Sequence, residues 1–162
     1  MQAKARLRTA LREDGAALVE MALSTTILLA VLIGAFQMCV AFYAYHATSE
    51  AARQGSRWAM VRGSSSCTNT PSLSKCDAAS TDIQSYVAGL GYLNLTTSDV
   101  TVSWLQSNGL QPVTFSSCTP PGCNIPGNEV QVTVTYPFGL SIPFMNSQTL
   151  NITSTSSMII AQ

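Results

Sequence analysis

The chain has 162 residues, no formal net charge, and charged side chains at only 10% of its positions. This length allows one modest domain together with an anchor. The charged fraction is well below the usual value of about a quarter. It argues against nucleic acid as a partner, because binding to phosphates needs clustered Lys and Arg.

Residues 1–15 form a short basic leader that ends in Glu13, Asp14 and Gly15. Basic residues that flank an apolar run stay on the cytoplasmic side of a membrane. This predicts a cytoplasmic N-terminus and an extracytoplasmic C-terminal part. A cleaved secretory signal is the alternative. It fits less well, because its apolar run is usually about 7–15 residues long and ends in an A-x-A pattern.

Residues 16–45 are predicted to span a membrane as a helix. Between Glu20 and His46 the sequence has no carboxylate, amine or guanidinium group. About 20 apolar residues of helix cross the hydrocarbon core of a bilayer. A soluble protein seldom buries a helix that is apolar on every side. Cys39 lies inside this run and is interpreted as a small buried hydrophobic residue.

The helix is expected to continue to residue 62, because residues 46–62 are rich in Ala and contain no Pro. Glu50 and Arg53 are spaced for a weak surface ion pair. Mostly small residues recur on one helical face, and this stripe consists of Ala44, Ala47, Ala51, Gly55 and Trp58. The stripe either lets another helix approach closely or covers the chain's own sheet, and both interpretations stay open.

Four cysteines follow in two close pairs, Cys67 with Cys76 and Cys118 with Cys123. On the outer side of a bacterial-type membrane such pairs tend to form disulfides. Several connectivities are possible, and the local one is favoured because both short loops contain Pro together with Ser or Gly. A zinc site is the less favoured alternative, since it needs all four thiolates to converge.

The remaining sequence predicts a short helix and then an antiparallel sheet. Asp77 or Ser80 caps the helix, and Gly89 and Gly91 end it. Its apolar face is formed by Ile83, Tyr86, Val87 and Leu90. Apolar residues that alternate with polar ones predict strands, at residues 100–104, 130–136 and 150–160.

Asn108 and Gly109 indicate a hairpin, with 110–115 as its partner strand. Pro112 places this partner at a sheet edge, because Pro cannot donate to a central ladder. Residues 137–147 are expected to form a loop. The predicted fold class is α+β, a long N-terminal transmembrane helix that extends into a small antiparallel β-sheet domain. The predicted organisation is a basic leader at 1–15, a transmembrane and extended helix at 16–62, and an extracytoplasmic α+β domain at 63–162.

The sequence contains no catalytic set and no phosphate-binding glycine loop. His46 and Glu50 share a helix face, but no second His or nucleophile accompanies them, and a surface pair is the favoured interpretation. We therefore predict no enzymatic activity and no cofactor.

Glu20 is the acidic residue at the start of the apolar run. Near the membrane boundary its carboxylate can reach the headgroups, which is the simpler account. If the chain is cut after Gly15, Ala16 carries a new amine with a reference pKa near 8. Glu20 of a neighbouring subunit would then neutralise this amine, and charge pairs of this kind set the register of packed helices.

Two motifs give the chain a resemblance to a known family. The string from Gly15 to Glu20, GAALVE, followed by the apolar helix, resembles the processing site of type IV pilins and pseudopilins. Together with the string AARQGSR at 51–57, it is similar to the N-terminal region of TadE-like proteins, the minor pilins or pseudopilins of tight-adherence (Flp) pili. The motifs cover about the first third of the chain. Met21 departs from the aromatic residue that is usual at this place in major Flp pilins.

The resemblance implies a structural pilus component of the bacterial inner membrane that enters an extracellular pilus and contributes to surface adhesion. A prepilin peptidase would cut between Gly15 and Ala16, and Glu20 would act in assembly. The implied partners are sister pilins, the prepilin peptidase, the secretion ATPase with its platform complex, and membrane lipid. Two rival functions are a membrane-anchored binding domain unrelated to pili and a small outer-face hydrolase.

Overall fold

The computed structural model describes residues 2–109, 115–118, 122–141 and 146–162. They contain three α-helices, α1 (Gln2–Met60), α2 (Ser66–Asn69) and α3 (Ser80–Gly89), a 3₁₀ turn (Thr97–Asp99), and four strands, β1 (Val100–Ser107), β2 (Phe115–Cys118), β3 (Glu129–Leu140) and β4 (Gln148–Ile159). A long N-terminal helix followed by a small antiparallel sheet is the predicted α+β class. The chain divides into two compact units, 1–40 with 140–148, and 41–139 with 149–162.

Helix α1 begins earlier than the sequence analysis predicts, at Gln2 instead of residue 16. The leader is rich in Ala, Leu and Arg and has no Pro, so its residues favour helix. The helix ends at Met60, close to the predicted end at 62. The N–H of Arg62 donates to the carbonyl of Ala59 at 2.9 Å, which closes the last turn.

The first unit contains the apolar part of α1. The single side-chain amide in this part, Gln37, donates from Nε2 to the backbone carbonyl of Ser141 at 3.1 Å. Cys39 is exposed. The expectation that it is buried within the protein is wrong, because the described residues of the unit leave this face of α1 uncovered.

The sheet lies in the order β2-β1-β3-β4. Its inner face is buried, with Val100, Trp104, Val130, Val132 and Val134 no more than 5% exposed. The fully buried residues of β3 are Val130, Val132 and Val134. They lie within the predicted strand 130–136, where apolar and polar residues alternate most strictly. This face forms the core of the second unit.

The predicted two-residue hairpin at Asn108 and Gly109 is wrong. Strand β1 pairs antiparallel with β2 so that Ser107 lies opposite Phe115, which leaves 108–114 between the strands. The partner strand is therefore Phe115–Cys118, not 110–115, and residues 110–114 with Pro112 lie outside the described residues. Strand β2 is at an edge of the sheet, as expected.

Strand β3 also differs from the prediction at its C-terminal end. It continues through Pro137 to Leu140, where the sequence analysis places a loop from 137 to 147. Phe138 is 6% exposed, so its burial continues the inward-facing alternation past the proline. The last strand, Gln148–Ile159, matches the predicted strand at 150–160 within two residues at each end.

The stripe of small residues on α1 packs against the chain's own sheet. Its members Ala44, Ala47 and Ala51 are no more than 7% exposed. A Cβ atom on Gly55 would lie 2.7 Å from Cγ2 of Val87 and 3.1 Å from Cγ1 of Val132. Helix α1 therefore approaches α3 and β3 as closely as a glycine allows, and this part of the stripe is unavailable to a neighbouring helix.

Helix α3 is capped by a residue that the sequence analysis did not choose. The N-cap residue is Ala79, and Oδ2 of Asp82 accepts its backbone N–H at 3.2 Å. Neither Asp77 nor Ser80 caps the helix, because a carboxylate in the first turn already reaches back to the free N–H group. Two residues of its predicted apolar face, Ile83 and Val87, are fully buried.

Two disulfides join Cys67 to Cys76 and Cys118 to Cys123, with Cα–Cα distances of 5.0 and 5.9 Å. This is the local connectivity that the sequence analysis favours, and sulfurs bonded in this way are not available as zinc-binding thiolates. Nδ2 of Asn124, the residue after Cys123, donates to the carbonyls of Arg62 and Ala78 at 3.1 and 3.0 Å.

Candidate functional site

The first motif, GAALVE at 15–20, lies on an uninterrupted stretch of α1. Gly15, Ala16 and Glu20 are helical and exposed, and a Cβ atom on Gly15 would meet no other atom within 4 Å. Among the side chains that the structure describes, none forms a hydrogen bond or an ion pair with Glu20; the ion pairs there are Arg53–Glu50 and Lys75–Asp82. The carboxylate of Glu20 is thus presented outwards without a partner from the described part of its own chain.

The apolar side chains that follow Glu20 are exposed around the helix. Leu23, Ile27 and Val31 are between 62% and 65% exposed, and Phe36 reaches 69%. The most apolar 18-residue window of this helix has a mean hydropathy of 2.3 and is only 6% buried. A core helix of a soluble protein would instead be covered by its own fold. The helix is therefore long, apolar and uncovered enough to cross a membrane.

The second motif, at 51–57, divides between the inside and the outside of the second unit. Ala51, Ala52 and Ser56 are fully buried, and Oγ of Ser56 lies 2.9 Å from Oγ of Ser156 on β4. On the outer side, Arg53 forms an ion pair of 3.2 Å with Glu50, as predicted from their spacing. The motif therefore joins the end of α1 to the sheet through its small residues and leaves its charged residues in solvent.

The described residues bring together no catalytic set. His46 lies edge-on to the ring of Tyr45, while Glu50 pairs with Arg53 and Gln54. The predicted surface pair of His46 and Glu50 is therefore replaced by other partners. No three His, Cys, Asp or Glu side chains of the described part of the chain are grouped as metal ligands.

A cavity of about 250 Å³ opens beside Trp104 in the second unit. Its polar lining includes Asp77, Ser80 and Asn124. The carboxylate of Asp77 accepts from the amide of Asn124 at 3.4 Å, and no hydrogen bond of the described residues joins it to the hydroxyl of Ser80, so the lining holds no activated nucleophile. The cavity therefore gives no support to the rival hypothesis of a small hydrolase.

The family model of TadE-like protein matches residues 15–57. This segment is TadE-like. The match begins at Gly15 and ends at Arg57, so it contains both motifs, the exposed apolar helix and its junction with the sheet. Over these residues it confirms the resemblance to TadE-like proteins that the sequence gives. No curated protein and no solved structure matches the chain.

One surface feature was missed by sequence reasoning, although the sequence carries its signal. On the outer face of the sheet, hydroxyls of neighbouring strands meet in pairs. Oγ1 of Thr133 lies 2.9 Å from Oγ1 of Thr155, and Oγ1 of Thr135 lies 3.2 Å from Oγ1 of Thr153. The alternation of Thr at 133, 135, 153 and 155 indicates this face, but the sequence analysis uses it only to predict strands.

Proposed function

We propose that the protein is a minor pilin or pseudopilin of a tight-adherence pilus, assembled through α1. The observation that carries the proposal is the TadE-like segment at 15–57, whose apolar window is 6% buried. An apolar helix that its own chain leaves uncovered needs lipid before assembly and other helices after it. The same property supports insertion in the inner membrane, with the basic leader at 1–15 in the cytoplasm.

A prepilin peptidase cuts the chain between Gly15 and Ala16 in this proposal. The bond lies within α1, so the helix must open locally before a protease can bind it in extended form. Gly15 favours this opening, because Gly costs a helix about 1 kcal/mol relative to Ala. The cut separates the leader at 1–15 from the helix at 16–62 and the extracytoplasmic α+β domain at 63–162.

The cut also gives Glu20 its role. The new amine of Ala16 is mostly cationic at neutral pH, and Glu20 is exposed without a partner among the described side chains of its chain. In the fibre the carboxylate neutralises the amine of an adjacent subunit and fixes the register of the two helices. The secretion ATPase with its platform complex supplies the force, and sister pilins supply the neighbouring helices.

Replacement of Glu20 with Gln tests this assembly role. We expect Glu20→Gln to lower the amount of the protein in sheared pili at least about tenfold, since loss of a buried charge pair leaves an unpaired amine. The amount in the membrane fraction should not fall. Glu13→Gln is the matched control, because it removes an acid from the leader and should leave the yield in pili unchanged.

N-terminal sequencing of the protein from sheared pili tests the cut directly, with Ala16 expected as the first residue. Recovery only of chains that begin at Met1 would contradict the proposed processing. Equal yields of the Glu20→Gln variant and the wild type in pili would contradict the assembly role. Absence of the wild type from pili would leave the tethered binding domain as the better function.

A further inference from the structure

We propose that the chain contacts the outer leaflet of the membrane a second time, through the connection between β3 and β4. This connection, residues 140–148, forms one compact unit with residues 1–40 of α1. The contact is assigned from its described residues, Leu140, Ser141 and 146–148. The inference rests on the membrane insertion of α1 proposed above, and it deepens that proposal by naming a further lipid-facing segment.

One hydrogen bond fixes the level of the connection along α1. Nε2 of Gln37 donates to the backbone carbonyl of Ser141 at 3.1 Å. Gln37 also belongs to the partly covered face of the apolar helix. Within residues 15–40, the half-buried positions are Ala30, Gly34, Gln37 and Val40. Steps of three and four place them on one helical face, and the connection, as the other segment of this unit, lies along it.

The level of Gln37 lies inside the hydrocarbon core. Gln37 follows Glu20 by seventeen residues, which is about 25 Å along a helix that rises 1.5 Å per residue. The hydrocarbon core is about 30 Å thick. A core that begins at Glu20 therefore extends about 5 Å beyond Gln37, and a core that begins further along α1 places Gln37 deeper.

The tyrosines that follow Gln37 give a similar level from the outer side. Tyr43 and Tyr45 are 61% and 53% exposed. Exposed tyrosines at the end of a membrane helix favour the interface between lipid and water. They follow Gln37 by six and eight residues, so Gln37 lies about 9–12 Å below them. Ser141 is therefore held in the outer part of the core, near the depth of about 5–10 Å that interfacial segments reach.

The composition of the connection fits this position. No charged side chain follows Glu129 in the chain, so neither the connection nor the strand ends beside it bring a charge into lipid, which would be costly. Residues 137–147 read PFGLSIPFMNS and are mostly apolar. Leu150, two residues beyond the connection, is 55% exposed. Contact with lipid removes such apolar surface from water, while the uncharged polar residues 146–148 can reach the headgroups.

The hydrogen bond also explains the single side-chain amide in the apolar helix. A backbone carbonyl or a side-chain amide without a partner is costly in hydrocarbon. Gln37 and Ser141 satisfy one another there, and non-helical backbone at membrane depth is tolerated only beside such protein partners. In water the bond would gain little, because water serves both groups. Gln37 is thus a positioning residue for the connection.

Collision of a nitroxide spin label with two relaxing agents tests the contact. The full-length protein is placed in phosphatidylcholine nanodiscs and labelled without a reductant, so that both disulfides stay closed. Ser141→Cys combined with Cys39→Ala carries the label on the connection, and it keeps the bonded carbonyl because that group belongs to the backbone. We expect this label to collide more with oxygen, which concentrates in lipid, than with a water-soluble nickel chelate.

Two reference labels calibrate the measurement. The native Cys39 of the wild type is exposed on the apolar helix and gives the value for lipid. Ser157→Cys combined with Cys39→Ala is the matched control in water, because Ser157 is an exposed serine of β4 about 30 Å along the strand from its start. Ser147→Cys labels an exposed serine at the other end of the connection and repeats the test if Ser141→Cys fails to fold.

Substitution of Gln37 tests its positioning role. We expect Gln37→Leu to shift the label at 141 from lipid towards water about tenfold, the effect of leaving one carbonyl without its partner. Thr26→Val is the matched control, because the hydroxyl of Thr26 donates to the carbonyl of Ala22 within α1 at 2.8 Å. It should leave the label at 141 in lipid. An unchanged label at Ser157 and unchanged thermal unfolding show that the shift is local.

Four results would overturn parts of this account in different ways. A label at 141 in water, with the label at Cys39 in lipid, would overturn the contact and leave the insertion of α1 standing. Both labels in water would overturn the contact together with the insertion. Protection of the label at 141 only in discs with two copies would make the connection an interface between copies. A Gln37→Leu variant with an unchanged label would remove the positioning role of Gln37.

Discussion

At the scale of single residues, Gly55 decides how closely α1 approaches the rest of its unit. A Cβ atom there would lie 2.7 Å from Cγ2 of Val87 and 3.1 Å from Cγ1 of Val132. Both valines are fully buried, so neither can move away freely. We expect Gly55→Ala to destabilise the fold by about 1–3 kcal/mol, the usual cost of overpacking a core.

Thermal unfolding of the full chain in a nonionic detergent measures this effect. Gly89→Ala is the matched control, because it is also a helical glycine but a Cβ atom there would meet nothing within 4 Å. Ala is the better helix former, so the control should unfold at the same temperature or higher. A Gly55→Ala variant as stable as the wild type would show that the core tolerates the added methyl group.

A second residue-scale prediction concerns the acid at the start of α3. The hydrogen bond from Lys75 and then the N–H of Ala79 hold the pKa of Asp82 below its ordinary value of 3.8. A carboxyl with a lowered pKa stabilises the fold above its unfolded pKa, and this contribution is lost as the pH falls through the folded pKa. We expect Asp82→Asn to cost at most about 1 kcal/mol at neutral pH, because Lys75 is 66% exposed and solvent screens the pair.

Unfolding measured against pH checks the sign. The stability difference between wild type and Asp82→Asn should be largest at neutral pH and should shrink as the pH falls below 3.8. Lys75→Gln removes the charged donor that lowers the pKa of Asp82 most and should reduce the same pH dependence. A difference that grows towards acid pH would contradict the assignment.

At the scale of elements, the end of β4 shows how the alternation of buried and exposed side chains sets the loss of stability caused by a substitution. Ile159 and Ile160 are adjacent, yet Ile159 is 57% exposed and Ile160 is 1% exposed. The N–H of Ile160 donates to the carbonyl of Asn128 at 2.8 Å, and the N–H of Ala161 donates to the carbonyl of Met60 at 3.0 Å. The end of the chain is thus packed against the end of α1.

We therefore expect Ile160→Ala to destabilise the fold by about 2–5 kcal/mol, the range for a fully buried isoleucine. Ile159→Ala changes the same residue type at the next position and should cost well under 1 kcal/mol. Thermal unfolding of the two variants beside the wild type measures both. Equal losses of stability would show that the burial difference does not govern this end of the strand.

The elements also show what the sequence can predict. Strict alternation predicted the centre of β3, and continuous apolar character predicted the membrane-type helix, because each pattern depends only on neighbouring residues. The turn at Asn108 and Gly109 was wrong, since the register of β1 with β2 is set by pairing across the sheet. Two other features also depend on which strands become neighbours. They are the packing of the α1 stripe on its own sheet and the alignment of Thr101, Thr133 and Thr155 across three strands.

At the scale of the whole molecule, the five cysteines divide the chain between two chemical environments. Cys39 is free and lies in the apolar helix, while the other four form the disulfides Cys67–Cys76 and Cys118–Cys123 in the C-terminal part. Disulfides form and persist on the oxidising side of the inner membrane and are reduced in the cytoplasm. The proposed orientation therefore predicts the state of each cysteine in cells.

Alkylation of intact cells, followed by denaturation in detergent with fresh alkylating reagent, measures these states. Without a reductant, mass spectrometry should find the label only on Cys39, because the other sulfurs are bonded to each other. With a reductant added first, all five cysteines should be labelled. A cytoplasmic C-terminal part would give five labelled cysteines without any reductant. That result would reverse the proposed orientation, while the TadE-like match of residues 15–57 would stand.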